Sequence, residues 1–143
     1  RPRVDYLQRL GWILTRVPKP LVWIVVEDAE GPSEDVASVL AEEGALSKAG
    51  LKIVYFSHGP TRQYGNAQRS AGLQYIEQQG LEGAIVFADD DNLYTPEYFM
   101  RVRQTRYVSL HAVGLLGPHG VERPYVFRNK VVGWDCGWRQ RRY

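Results

Sequence analysis

The apolar positions of this chain follow two alternating rhythms. From Val4 to Val17 they recur as Val4, Leu7, Leu10, Ile13, Leu14 and Val17, one face of a helix, and Pro18 and Pro20 stop it. Leu21 to Val26, LVWIVV, is a continuous apolar run rich in β-branched residues, as in a strand covered on both faces. Ser33 stands where it can cap a second helix whose Val36, Val39 and Leu40 face inward, with Gly44 or Gly50 to end it. Leu51 to Phe56 predicts a second strand and Ala67 to Gln79 a third helix ending at Gly80; Ala84 to Phe87 predicts a third strand. Thr95 and Pro96 suit the N-cap and first position of a fourth helix, and Tyr107 to Leu116 reads as a further strand. Strands alternating with helices in this way predict an α/β fold with a mainly parallel sheet.

Composition narrows the picture only slightly. A chain of 143 residues suits one domain, and 18 basic against 16 acidic residues is too even a balance to predict nucleic-acid binding. The basic cluster Arg139, Arg141 and Arg142 reads as a solvated segment. A single cysteine, Cys136, excludes an internal disulfide and a Cys-rich zinc site. No run reaches the ~20 apolar residues of a membrane span. Met100 is the only methionine, and the sequence reads as a portion of something longer.

The chemistry gathers where strands end. In open α/β sheets ligands bind beyond the carboxyl ends of the strands. Glu27 and Asp28 follow the first predicted strand there, and Asp89, Asp90 and Asp91 follow the third. One aspartate in such a loop is ordinarily a turn former. Three in a row repel one another unless a cation compensates, and a hard divalent ion held by one or two carboxylates and substrate phosphates is the natural candidate. His58, His111 and His119 lie singly, which argues against zinc. There is no Gly-rich phosphate loop, so side chains must meet a phosphate. Arg69, near the start of the third helix, is placed for that, with the positive helix end beside it.

The stretches LVWIVVEDAEG, AQRSAGLQYI, AIVFADDDNLYTPEYFMRVRQTRYVSLHAVGLLG and VERPYVFRNKVVGW occur in one order and at one spacing that is familiar as a set. With them the chain resembles glycosyltransferase family 43, the inverting β-1,3-glucuronosyltransferase family with its plant relatives in xylan synthesis. The resemblance implies a GT-A fold, Rossmann-like and incomplete at both ends, with a UDP-sugar donor, Mn²⁺ and a glycan acceptor such as a proteoglycan linker, a glycoprotein or xylan. It implies that Asp91 is the metal ligand, that Asp89 and Asp90 meet the donor sugar, its arginine partner and the ribose, and that Asp28 meets the uracil. Arg69 would reach the donor; Glu122 and Arg142 would serve the acceptor. The family's first strand would precede Arg1 and its carboxylate base would lie beyond Tyr143, so residues 1–143 are expected to be one donor-binding portion without turnover of its own. A type II Golgi membrane protein, this domain in the lumen and its anchor elsewhere, is the implied setting, and a homodimer is among the partners allowed.

The chain departs from the family pattern at two places near Arg69. Tyr64 stands where a basic residue is common, with Arg62 and His58 as nearby substitutes, and Ser70 stands where Asn is usual. Tyr64 leaves UDP-xylose open beside UDP-glucuronic acid. A non-catalytic scaffold subunit of a glycan synthase is the competing class, and a phosphatase-like domain lacks a suitable loop after the first strand. Of the tryptophans, Trp12 and Trp23 are expected in the core, while Trp134 and Trp138 could equally be core or stack on a sugar.

Overall fold

A computed structural model describes residues 2–41, 44–62, 65–109, 111, 113–114 and 121–135. Two compact units result, Arg1–Gln104 and Thr105–Tyr143. The first carries α1 (Pro2–Thr15), β1 (Val22–Glu27), α2 (Glu34–Leu40), α3 (Ala45–Lys48), β2 (Lys52–Ser57), α4 (Asn66–Gln78) and α5 (Pro96–Val102). The second carries β3 (Val113–Gly114), β4 (Val121–Phe127) and β5 (Lys130–Asp135).

In the first unit β1 and β2 pair in parallel, in register from Val22↔Lys52 to Glu27↔Ser57. The predicted helical face of α1 is the buried one. Leu10, Leu14 and Val17 pack with Leu46, Leu51 and Phe99, while Leu7 packs with Val36 and Leu40. Trp23 bridges the two clusters. Each such aliphatic side chain removed from water contributes about 1.5–3 kcal/mol, so this layer of helices over β1 and β2 holds the unit together. Trp12, expected in the core, is 48% exposed, because it lies on the opposite face of α1.

One short element escaped the sequence pattern. Gly44, expected to stop a helix, begins one as the N-cap of α3, whose Leu46 is buried. Gly11 eases that packing: a Cβ there would lie 2.4 Å from Leu46 Cδ1, so the Leu46 side chain would have to shift. Gly50, at φ +82°, then ends the turn, as glycine does at low cost. The caps of α2 and α5 fall where predicted but differ in kind. Thr95 Oγ1 accepts the Tyr98 N–H at 3.3 Å, with Pro96 at the first helical position. Ser33 has the extended backbone of a cap but makes no side-chain cap bond, because its hydroxyl is directed to Glu27.

The sheet corrects the expectation of a mainly parallel array. Ala84–Phe87 joins no ladder, and Ile85 and Phe87 are 50% and 52% exposed. Apolar content makes a segment ready to be a strand; only a hydrogen-bonded neighbour makes it one, and among the described residues β1 is paired with β2 alone. The strand expected over Tyr107–Leu116 reduces, among its described residues, to Val113–Gly114, and Tyr107 and Val108 are almost fully exposed.

The second unit is an antiparallel sheet in the order β3-β4-β5. Arg128 and Asn129, at φ 47° and 62°, form the two-residue turn between β4 and β5, the positive-φ pair that matches the twist of a hairpin. The register slips by one between Tyr125↔Gly133 and Val126↔Val131, leaving Val132 as the extra, bulged residue.

Candidate functional site

The carboxyl end of β1 carries two adjacent carboxylates with opposite fates. Glu27 is 8% exposed and turns into the protein. Its Oε1 accepts from Arg3 and from the Ser33 hydroxyl; its Oε2 accepts from the Tyr55 hydroxyl and, at 3.0 Å, from the Ser33 N–H. That N–H is shared with the Tyr55 oxygen at 2.9 Å. Burial alone would push the Glu27 carboxyl up, but the Ser33 and Tyr55 hydrogen bonds and the Arg3 charge outweigh it and hold it below the usual value. Burial and the bond to the Glu27 carboxylate push the Tyr55 hydroxyl above its own. Glu27 thus ties α1, β1, β2 and the start of α2 together and is no ligand group.

Asp28 turns outward, and the loop after β2 meets it. Its Oδ1 accepts the Thr61 N–H at 2.8 Å. Gly59, at φ +152°, lets the loop come so close: a Cβ there would lie 2.1 Å from that same oxygen. The His58 N–H donates to the Glu27 carbonyl at 2.8 Å, extending the parallel ladder one step past β2.

The second acidic group is held from α4 and α1. Arg69 donates to Asp89 Oδ1 at 2.8 Å, and its guanidinium lies 6.0 Å from the centre of the Phe87 ring. Part of the positive counter-charge that three aspartates demand is therefore supplied by the chain. The Asp89 N–H donates to the Tyr94 hydroxyl at 3.0 Å, and Arg9 Nη2 reaches the carbonyls of Asp91 and Asn92, each at 3.3 Å. Among the described residues no hydrogen bond or ion pair engages the Asp90 or Asp91 carboxylates.

A cavity of about 880 Å³ runs along the β1 edge that β2 leaves open. Asp28, Arg69, Asp89 and Asp90 all line it, so four of the five predicted donor-site residues share one concavity. Asp91 is exposed on the loop and stands outside that wall. Among the described residues no three His, Cys, Asp or Glu side chains converge as a ready metal cage. A divalent ion that takes one or two carboxylates and completes its shell with phosphate oxygens and water needs no such cage, and the unengaged oxygens of Asp91 and Asp90 fit it. Glu122 lies in β4, paired opposite Val113, in the second unit. Tyr64, Trp138 and Arg142 lie outside the described residues.

Sequence reasoning missed Arg3, Arg9, Tyr55, Thr61 and Gln68. Tyr55 carried a faint signal: it is two residues before Ser57, the register partner of Glu27, and so sits on the same face of the sheet. The others act from distant segments and gave none.

A parallel strand pair under helices, with Asp28, Arg69, Asp89 and Asp90 on the wall of a largely apolar cavity along β1, defines an α/β domain with polar groups gathered at its strand ends. The chain belongs to glycosyltransferase family 43, whose profile matches residues 10–143. It is 43% identical over 135 residues to human galactosylgalactosylxylosylprotein 3-beta-glucuronosyltransferase 2, covering 85% of this chain and 40% of that protein. It is 34% identical over 156 residues to the mouse enzyme numbered 3, covering 95% and 46%, and 33% identical over 135 residues to the Drosophila melanogaster enzyme P, covering 92% and 28%. The chain thus spans less than half the length of these relatives. No helix among the described residues is long and apolar enough to cross a membrane.

Proposed function

We propose that the chain is the donor-binding portion of an inverting, GT-A-type glycosyltransferase that transfers a sugar from a UDP-sugar to a galactoside or other glycan acceptor in the Golgi lumen. The observation that carries this is the cavity whose wall holds Asp28, the Arg69–Asp89 ion pair and Asp90 together. UDP-glucuronic acid is the first donor to test, because the relatives are named glucuronosyltransferases. Tyr64 makes UDP-xylose the second.

Each group has a role that its position supports. Asp28, held at Oδ1, keeps Oδ2 to accept an N–H of the base. Arg69 is oriented by Asp89 and presents its remaining N–H groups to the donor. Asp91 would hold the divalent cation, with Mn²⁺ the proposed ion, and the ion would offset the negative charge on the diphosphate leaving group. Glu122 and Arg142 are offered for the acceptor. None of the described residues is assigned as the base that deprotonates the acceptor hydroxyl.

Calorimetric titration with UDP tests the reading. Binding in Mn²⁺ is expected, weakened about tenfold or more in Asp91→Asn and by chelation, since loss of one charge-assisted contact is worth about 1.5–3 kcal/mol. A chain that takes up no UDP with or without Mn²⁺ sinks the proposal.

A further inference from the structure

Two consecutive residues in the first turn of α4 reach the two acidic groups separately. Arg69 holds Asp89. Gln68 faces the other way: its Nε2 donates to the His58 carbonyl at 2.6 Å and lies 3.3 Å from Thr61 Oγ1. Those contacts bracket the loop whose Thr61 N–H holds Asp28 Oδ1. Gln68 is only 7% exposed and lines the same cavity as Asp28. Among the described residues its buried Oε1 has no hydrogen-bond partner.

That orphan oxygen is informative. A buried amide carbonyl without a partner forfeits favourable solvation, so the side chain is not placed for what its oxygen gains. The donor end holds it where it is. The loop it grips lies close over Asp28: a Cβ at Gly59 would fall 2.1 Å from the Asp28 carboxylate. A shift of the His58–Thr61 loop would therefore be transmitted to the Asp28 carboxylate. In the parallel arrangement at Glu27, the carboxylate itself is gripped by side chains; at Asp28 the grip is indirect and passes through α4.

We infer that Gln68 is a positioning residue: through Nε2 it locks the His58–Thr61 loop so that Asp28 is presented to the ligand in one orientation. With Arg69 beside it, the first turn of α4 then sets the spacing of both acidic groups from one rigid element. The inference rests on the nucleotide-site reading for its functional meaning, but its structural half can be tested alone.

The test uses the 143-residue chain with Gln68→Met, which keeps length and burial but removes the donor. Amide exchange of Thr61, followed by NMR, should accelerate about tenfold while amides of β1 and β2 stay protected, as for the local loss of one hydrogen-bonded clamp. UDP affinity in Mn²⁺ should fall about tenfold in the wild-type background and less than about twofold in Asp28→Asn, since residues acting through one another are not additive. If Gln68→Met also loosens β1 and β2, Thr61→Val replaces it, removing only the second Nε2 acceptor, with an acceleration of about threefold expected. Unchanged Thr61 exchange, or losses in UDP affinity that simply add, overturns the inference. Accelerated exchange in a chain that binds no UDP upholds the positioning role and sinks the nucleotide reading instead.

Discussion

The two acidic groups at the strand ends are built by different means. At Glu27–Asp28 the backbone continues a parallel ladder, one carboxylate is buried under four donated hydrogen bonds, and the other is met by a loop at near-contact distance. At Asp89–Asp91 no ladder exists, and the loop is held by an exposed ion pair and by an arginine reaching two carbonyls. The first group is fixed before any ligand arrives. Among the described residues the second leaves the Asp90 and Asp91 carboxylates without a hydrogen bond or ion pair. Pre-organisation is concentrated at Glu27–Asp28, and freedom is left at Asp90 and Asp91.

The comparison breaks first at Glu27. Replacing it with alanine leaves the Tyr55 and Ser33 hydroxyls and the Arg3 guanidinium without the acceptor they share, and should lower unfolding free energy by about 3 kcal/mol in denaturant titration. Next comes Gly59→Ala, about 2 kcal/mol, because the new methyl meets the Asp28 carboxylate at a φ that only glycine adopts readily. Neither loss should depend strongly on salt.

Acid should reproduce part of the Glu27 effect. Its folded carboxyl lies below the usual value, so its contribution is complete above the ordinary carboxylate pKa and fades as pH falls through the lowered one. Tyr55 works in the opposite sense. Raised in the folded state, its contribution is complete below the ordinary tyrosine value and fades as pH rises through the higher one. Denaturation midpoints of wild type and Glu27→Gln should therefore converge in acid. A constant gap across that window would mean that the network is not what holds β1 to α2.

The smallest effect belongs to the second group. Arg69→Ala should cost less than about 1 kcal/mol of stability, and less still in high salt, because both partners of the pair are well exposed. The same substitution should nevertheless weaken UDP binding. A large, salt-insensitive stability loss would show the two acidic groups to be built alike.

Much of this was legible in the residues. The helical faces of α1 and α2, the extent of α4, the parallel β1–β2 pair and the Thr95–Pro96 start of α5 follow from local periodicity and cap chemistry, which act over a few residues. The clustering of acids after strands pointed to Asp28 and to Asp89–Asp91, and four of the predicted site residues share the cavity. Other features could not be read. Trp12 is apolar enough for a core but lies off the buried stripe. Ala84–Phe87 has the composition of a strand but joins no ladder among the described residues. The β4–β5 hairpin has neither clean alternation nor an Asn-Gly turn, and Pro124 in VERPYVF argues against a strand.

By itself, the order of residues determined which segments could become helices or strands, which ends would carry negative charge, and to which family the pattern belongs. Only the tertiary structure decided that Glu27 is a buried tie while its neighbour Asp28 faces a cavity, and that Arg69 answers Asp89. It also decided that Gln68 reaches back to the loop after β2. Periodicity and charge are local properties, written within a few positions; a hydrogen bond between residues 10, 20 or 28 apart exists only once packing has brought them within 3 Å.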